Sequence, residues 1–269
     1  MKNKRRELFQ LFFLAIVAIL PWFIDFSSML SHAIKDGVDV TLDKYIIINL
    51  GRVAISIVLV IFVLVFIIRK NNKDRIFNES GNCYYNHSYM WYWLCSKILG
   101  YQKCSLVRVP TSMQFKLLLN QVFREYTYGD ESNYIHINNE EIIITTDEGK
   151  VDVVNVVLAD TYIISKNMLP NSVTDNKTVL IERKNTGNGN RYVSENFCKK
   201  VQNTIYQLIQ SGCNTLNIFP TTNAAHNIRI VQNSFMKGGR GDVKHIYVFS
   251  QPLASEGDWR FSNKGEKIR

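Results

Sequence analysis

Cysteine is scarce in this 269-residue chain, with five residues and no CxxC pair. That odd count and spacing exclude a secreted disulfide scaffold and a cysteine zinc site. Cys83, Cys95, Cys104, Cys198 and Cys213 read as reduced thiols. Several enzyme signatures are missing too: there is no Walker A loop, GxSxG, HExxH or carboxylate cluster of the metal-nuclease kind. His32, His87, His136, His226 and His245 share no metal-ligand spacing, so neither a metal nor a catalytic residue is expected. Acidic groups are in the minority, 23 Asp+Glu against 32 Lys+Arg. The excess is thin after residue 70, where 23 basic groups face 18 acidic ones. That balance suits a small anionic ligand better than a long nucleic acid.

Apolar residues are plentiful but unevenly spread. A mean hydropathy of −0.08 suggests a soluble protein. The average hides two apolar runs, Leu8 to Ile24 and Ile46 to Ile68, with spans expected at about 8–30 and 46–68. At 1.5 Å per residue, about 17 to 23 residues cross a hydrocarbon core of about 30 Å. This excludes a fully soluble enzyme and a multi-span transporter. A signal peptide competes for the first run, because MKNKRR is a suitable basic start. PWFIDF, however, is too bulky for a cleavage site. Lys2, Lys4, Arg5 and Arg6 precede the first run, and Arg69, Lys70, Lys73 and Arg75 follow the second. The connecting loop has only Lys35 and Lys44, against Asp36, Asp39 and Asp43. Both outer ends are therefore expected in the cytosol, with a hairpin over 1–75 and a cytosolic domain over 76–269.

Two ionisable residues sit inside this hairpin. Arg52 lies 16 residues from Ile68, and Asp25 lies 17 from Leu8, so both fall about 24–26 Å from the cytosolic side. One reading pairs Arg52 with Asp25, or lets it snorkel outward, and so fixes the hairpin. The other assembles several copies, with Arg52 and Asn49 lining a pore that favours anions.

After the hairpin, YYNHSYMWYWLCSKILG and TSMQFKLLLNQVFREY read as helices, IHI and EEIIITT as short strands, and VDVVNVVLADTYIIS as one or two strands. Tyr84, Tyr85, Tyr89, Trp91, Tyr92 and Trp93 suit core or membrane-interface packing, with base stacking as the alternative. Next come strand TVLIER, a helix capped by Ser194 and ended by Gly212, strand TLNIF, helix TTNAAHNIRIVQNSF and strand HIYVF. GGRGD between the last two reads as a turn. This alternation predicts α/β architecture with a parallel βαβαβ sheet.

Ligands of such sheets collect at the carboxyl ends of the strands. Two segments are expected there. The first is ERKNTGNGNR, with Arg183, Lys184, Thr186, Asn188 and Arg191; the second is Thr221, Thr222 and Asn223, with His226 a turn further on. A helix N-terminus with hydroxyls beside it, faced by guanidinium and ammonium groups, suits phosphate. Common caps and turns would give the same residues.

NTLNIFPTTNAAHNIRIVQNSF followed by KHIYVFSQ resembles the C-terminal signature of SAVED domains. These are relatives of CARF sensors that read cyclic oligonucleotides in bacterial anti-phage (CBASS) systems. The specific likeness covers about Asn214–Gln251. Ile228-Arg229-Ile230 stands where family members commonly carry a helix glycine. The resemblance implies two Rossmann-like lobes, here about 76–165 and 166–269. It also implies a homo-oligomeric effector in the inner membrane, a cyclic di- or trinucleotide as ligand, no other cofactor, and a functional link to a nucleotidyltransferase. A membrane-tethered hydrolase or nuclease, and a membrane adaptor that binds no nucleotide, are the competing readings.

Overall fold

The computed structural model describes residues 4–24, 42–79, 83–137, 139–184, 191–236, 243–251 and 260–269. Asp25, His32, Lys35, Thr186, Asn188 and the GGRGD segment lie outside the described residues. The chain divides into two units, one of 1–76 with 93–102, the other of 77–92 with 103–269.

In the first unit, α1 (Arg5–Ile19) ends in a 3₁₀ turn over Leu20–Trp22, where Pro21 removes a donor the α-helix would need. Helix α2 (Leu42–Phe62) runs on through a π-helical stretch, Val63–Arg69, into a last α turn, Lys70–Asn72. Among the described residues one helical stretch, Asn49–Asn72, is long and apolar enough to cross a membrane, with 24 residues and a mean hydropathy of 2.9. At 15 residues α1 falls short of that length, so the expected two-span hairpin has one qualifying helix. Phe9, Phe12, Leu50, Val58 and Phe66 are each more than 60% exposed. Large apolar groups displayed along whole helices suit lipid, whereas in water they would drive aggregation. The Arg52 Nη2 lies 3.5 Å from the Ile24 carbonyl oxygen.

A short strand, β1 (Ile76–Phe77), follows, then helix α3 (Tyr89–Lys97). In the second unit, β2 (Lys103–Ser105) pairs in parallel with β3 (Glu125–Thr127), with helix α4 (Thr111–Leu119) between them in sequence. The predicted helix over TSMQFKLLLNQVFREY thus stops early, at Asn120, and its last residues become β3. Part of the aromatic cluster is core: Tyr85 and Tyr92 are buried with Phe77, His87 and Phe123, and Phe77 meets Tyr92 edge-on at 5.7 Å. Tyr84 stays exposed.

Strand β4 (Ile135–Ile137) pairs with β8 (Tyr192–Ser194) in a small parallel ladder. The main sheet has six strands. They are β5 (Ile142–Thr146), β6 (Lys150–Ala159), β7 (Asn176–Arg183), β9 (Thr215–Pro220), β10 (His245–Val248) and β11 (Glu266–Lys267), in the spatial order β11-β10-β9-β6-β7-β5. The central four are parallel, and the two edge strands run antiparallel to their neighbours.

The predicted βαβαβ run is present as β7, helix α5 (Glu195–Gln210), β9, helix α6 (Ala224–Ser234) and β10. β7 and β9 are not neighbours, however, because β6 lies between them and pairs with both. Its residues from Val154 to Ala159 are all buried, as expected of a β-branched strand flanked on both sides. The sheet therefore takes strands from both sides of residue 165, where the sequence places a lobe boundary.

Helix α5 buries Phe197, Cys198, Val201, Ile205 and Leu208 at helical spacing. It starts at Ser194, whose Oγ accepts from the Phe197 N–H at 2.8 Å, and ends before Gly212 at φ +92°. One face of the sheet packs Val157, Ala159, Phe219, Phe249 and Phe261 into a common cluster with Ile164 and Val173.

Candidate functional site

Chain order and spatial order together locate the site. From β6 the chain builds outward on one side to β7, then returns past β6 to β9 and β10 on the other. The reversal lies between β6 and β9, and in open parallel sheets the ligand crevice lies there, beyond the carboxyl ends. The residues at those ends are Asp160, after β6, and Thr221 to Asn223, after β9.

Asp160 organises this corner. It is wholly buried, and its Oδ1 accepts from the Arg183 Nε at 3.0 Å. The Arg183 Nη2 donates to the Asp160 carbonyl at 2.8 Å, and the guanidinium lies over the Tyr192 ring at 4.3 Å. The other carboxylate oxygen stands 2.7 Å from the Nδ1 of His226. The Ser194 N–H donates to the His226 Nε2 at 2.8 Å, so that nitrogen must carry a lone pair and Nδ1 the proton. Burial alone would raise the Asp160 carboxyl. His226 and Arg183 outweigh it and hold the group below its ordinary value.

These contacts engage several of the residues predicted to touch a ligand. Arg183 is 2% exposed and His226 not at all, so neither presents its polar atoms to solvent. Thr221 accepts from the Asp160 N–H at 3.2 Å and donates to the Leu158 carbonyl at 3.1 Å; the Thr222 hydroxyl bonds to Asn227. The Asn223 Oδ1 caps α6 by accepting from the His226 N–H at 3.0 Å. Its own N–H lies 3.4 Å from Asp160 Oδ2. The helix N-terminus that the sequence offers to a phosphate therefore already faces a carboxylate of the protein, which satisfies the dipole from within. These residues form a buried polar frame at the strand ends.

Two predicted residues are at the surface: Lys184, paired with Glu141 at 2.5 Å, and Arg191. Asp160 and Tyr192 were not singled out in the sequence. The one signal for Asp160 was an acid directly after a buried β-branched run.

Among the described residues of this corner, no nucleophile–base pair is formed. The imidazole lone pair meets a backbone N–H, while the Ser194 hydroxyl caps α5 and bonds to Glu140. Burial pushes the neighbouring Cys198 thiol up to about 12, leaving it protonated at neutral pH. No group of three or more candidate metal ligands occurs among the described residues.

An open cavity of about 470 Å³ lies in the same unit, between residues 167–172 and 260–263. Asn167, Asn171, Ser172 and Asn263 supply amide and hydroxyl groups, Arg260 a cation, and Met168, Leu169, Pro170 and Phe261 an apolar wall. The Phe261 N–H donates to the Met168 carbonyl at 2.9 Å, tying the two walls together. Phe261 also meets Phe219, the penultimate residue of β9, edge-on at 5.3 Å. Polar amides, one guanidinium and an apolar wall match the mixed chemistry of a nucleotide.

Fold and site together define a mostly parallel α/β sheet with a buried polar corner at its strand reversal, in a chain that begins with helices displaying apolar surface. The chain belongs to a family, the SMODS- and ubiquitin system-associated 2TM effector domain, whose model matches residues 1–264. Among solved structures it is similar to the Acinetobacter baumannii Cap4 SAVED/CARF-domain containing receptor, seen with the cyclic trinucleotides 3'3'3'-cAAA and 2'3'3'-cAAA. Both matches have 9% identity and a TM-score of 0.43, over 63% and 66% of this chain. They span 39% and 41% of the receptor chains, about two fifths of their length. No curated protein matches the sequence.

Proposed function

We propose that this chain is a ligand-gated membrane effector of antiviral defence. Residues 76–269 act as a cytosolic sensor that binds a cyclic di- or trinucleotide supplied by a nucleotidyltransferase. Residues 1–75 form a two-span hairpin in the inner membrane, with both termini in the cytoplasm. In a homo-oligomer these hairpins open an ion-conducting pore or disrupt the bilayer.

The observation that carries this reading is an α/β sheet whose strand order reverses at Asp160, in a chain that belongs to a 2TM effector family. The ligand contacts fall to exposed groups, Lys184, Arg191 and the Arg260 cavity, with the Asp160 network as the rigid frame beneath them. Ligand energy reaches the membrane only through differential affinity for two arrangements.

Thermal unfolding of the full chain in lipid nanodiscs tests the sensor half. The panel holds cyclic di- and trinucleotides, including 3'3'3'-cAAA and 2'3'3'-cAAA, with linear controls. A bound species at 100 times its Kd stabilises the unit it binds by about 2.7 kcal/mol and should raise that unit's transition visibly, leaving the other in place. A folded chain that responds to no member points instead to a tethered enzyme or an adaptor.

Arg52 tests the membrane half. In liposomes, Arg52→Leu should keep the assembly intact while the ratio of chloride to potassium flux falls several-fold, since a ring of guanidinium groups favours anions. An unchanged ratio with intact assembly removes Arg52 from the pore.

A further inference from the structure

The first unit contains a polar cluster that neither spanning a membrane nor binding a ligand explains. It joins the foot of α1, the end of α2 and a short segment from much later in the chain. Asn72, in the last turn after α2, is wholly buried. Its side-chain amide and that of Gln10 each donate to the other at 3.0 Å. The Asn72 Nδ2 also donates to the Leu99 carbonyl at 2.9 Å, and its Oδ1 accepts from the Arg6 Nη2 at 3.0 Å. Nearby, the Tyr101 hydroxyl donates to the Glu7 carboxylate at 3.0 Å. Burial and that carboxylate push the Tyr101 phenol up, so it remains a donor.

Packing fits the same contact. Gly100 has φ +81°, and a Cβ there would stand 2.8 Å from the Arg69 Cγ, so only glycine lets the segment come this close. The Arg69 Nη1 reaches the Lys97 carbonyl at 3.4 Å. Arg69 is also the last residue of the π-helical stretch Val63–Arg69. Such stretches are rare and often mark functional positions. Conversion of this one to α-helix would rotate Asn72 about the helix axis and break its bonds.

We infer that segment Trp93–Gln102 is a transmission strut whose polar clasp, centred on Asn72, sets the arrangement of α1 and α2. Two apolar helices in lipid gain no hydrophobic energy by meeting, so hydrogen bonds and close packing select their arrangement. The clasp supplies both. The strut is covalently continuous at both ends with the second unit, through Tyr92 and Lys103. Displacement of those two attachment points pulls on Leu99 and Tyr101, and through them on both helices. The inference rests on the sensor reading, because a strut transmits only if a ligand moves the second unit.

Hydrogen exchange on the full chain in nanodiscs tests it, with the same cyclic nucleotide panel as probe. In the parent chain a bound nucleotide should change exchange several-fold at residues 63–72 and 93–102. Tyr101→Phe, which removes one hydroxyl, and Asn72→Leu should bind the same nucleotide with Kd within about twofold. Both should lose the change at 63–72. Should Asn72→Leu fail to fold, Tyr101→Phe carries the test alone. A variant that binds and keeps the full change overturns the strut, as does a parent chain that binds without any change there. A parent chain that binds no nucleotide overturns the sensor reading and the strut with it.

Discussion

Asp160→Ala is expected to destabilise the second unit by about 3–5 kcal/mol, the usual cost of leaving a buried charge without its partner. Arg183 would keep its guanidinium at 2% exposure with its Nε acceptor gone. His226 Nδ1 and the Asn223 N–H would lose theirs as well. Because the chain has two units, one melting curve would blend their transitions. The measurement is therefore hydrogen exchange at β6, β7 and β9 in the full chain. Protection there should fall by between about two and four orders of magnitude, while α2 keeps its own. A drop of less than tenfold would show that the pair carries little. Replacing both partners together, Asp160→Leu with Arg183→Met, should recover much of the loss, since no unpaired charge then remains.

The same group gives a pH signature. Its folded carboxyl lies below the unfolded value of about 3.9. Its contribution is thus complete at neutral pH and is lost as pH falls through the acid range below that value. The protection difference between the parent chain and Asp160→Ala should shrink there.

The second large effect belongs to Phe219. It is wholly buried, stacked on Phe249 at 4.4 Å between centroids and edge-on to Phe261. Phe219→Ala should cost about 3–5 kcal/mol, from lost transfer energy and the cavity left behind. Phe219→Leu should cost clearly less. On the proposed sensor reading the consequence extends to ligand binding through Phe261, which lines the open cavity and meets the ring that is removed. Nucleotide affinity should therefore fall in Phe219→Leu even where the fold survives. Titration of the full chain measures this; unchanged affinity would detach the cavity from ligand binding.

Elements with strong local signals were legible in the sequence. Ser194 and Gly212 mark α5 because capping and a left-handed terminus are local chemistry. TVLIER, TLNIF and HIYVF read as strands from β-branched runs. The position of β6 between β7 and β9 was not legible, because neighbour order in a sheet is set by long-range pairing and leaves no mark on a single strand.

The candidate site was half legible for the same reason. Position relative to strand ends brought Arg183, Thr221, Asn223 and His226 forward. Whether they face a ligand or one another depends on Asp160, more than 20 residues from the nearest of them. Polar residues at strand ends look alike in sequence until their partners are known.

Gly100 against Arg69 bears on how the protein can be cut. Hydropathy places a seam near residue 76, yet Leu99 and Tyr101 find their partners in Asn72 and Glu7, on the far side of it. A fragment begun at residue 76 would carry those groups into water with their partners deleted. Its silence toward a nucleotide would not count against the full chain. Residues 76–269 do not hold all the partners of their own polar groups.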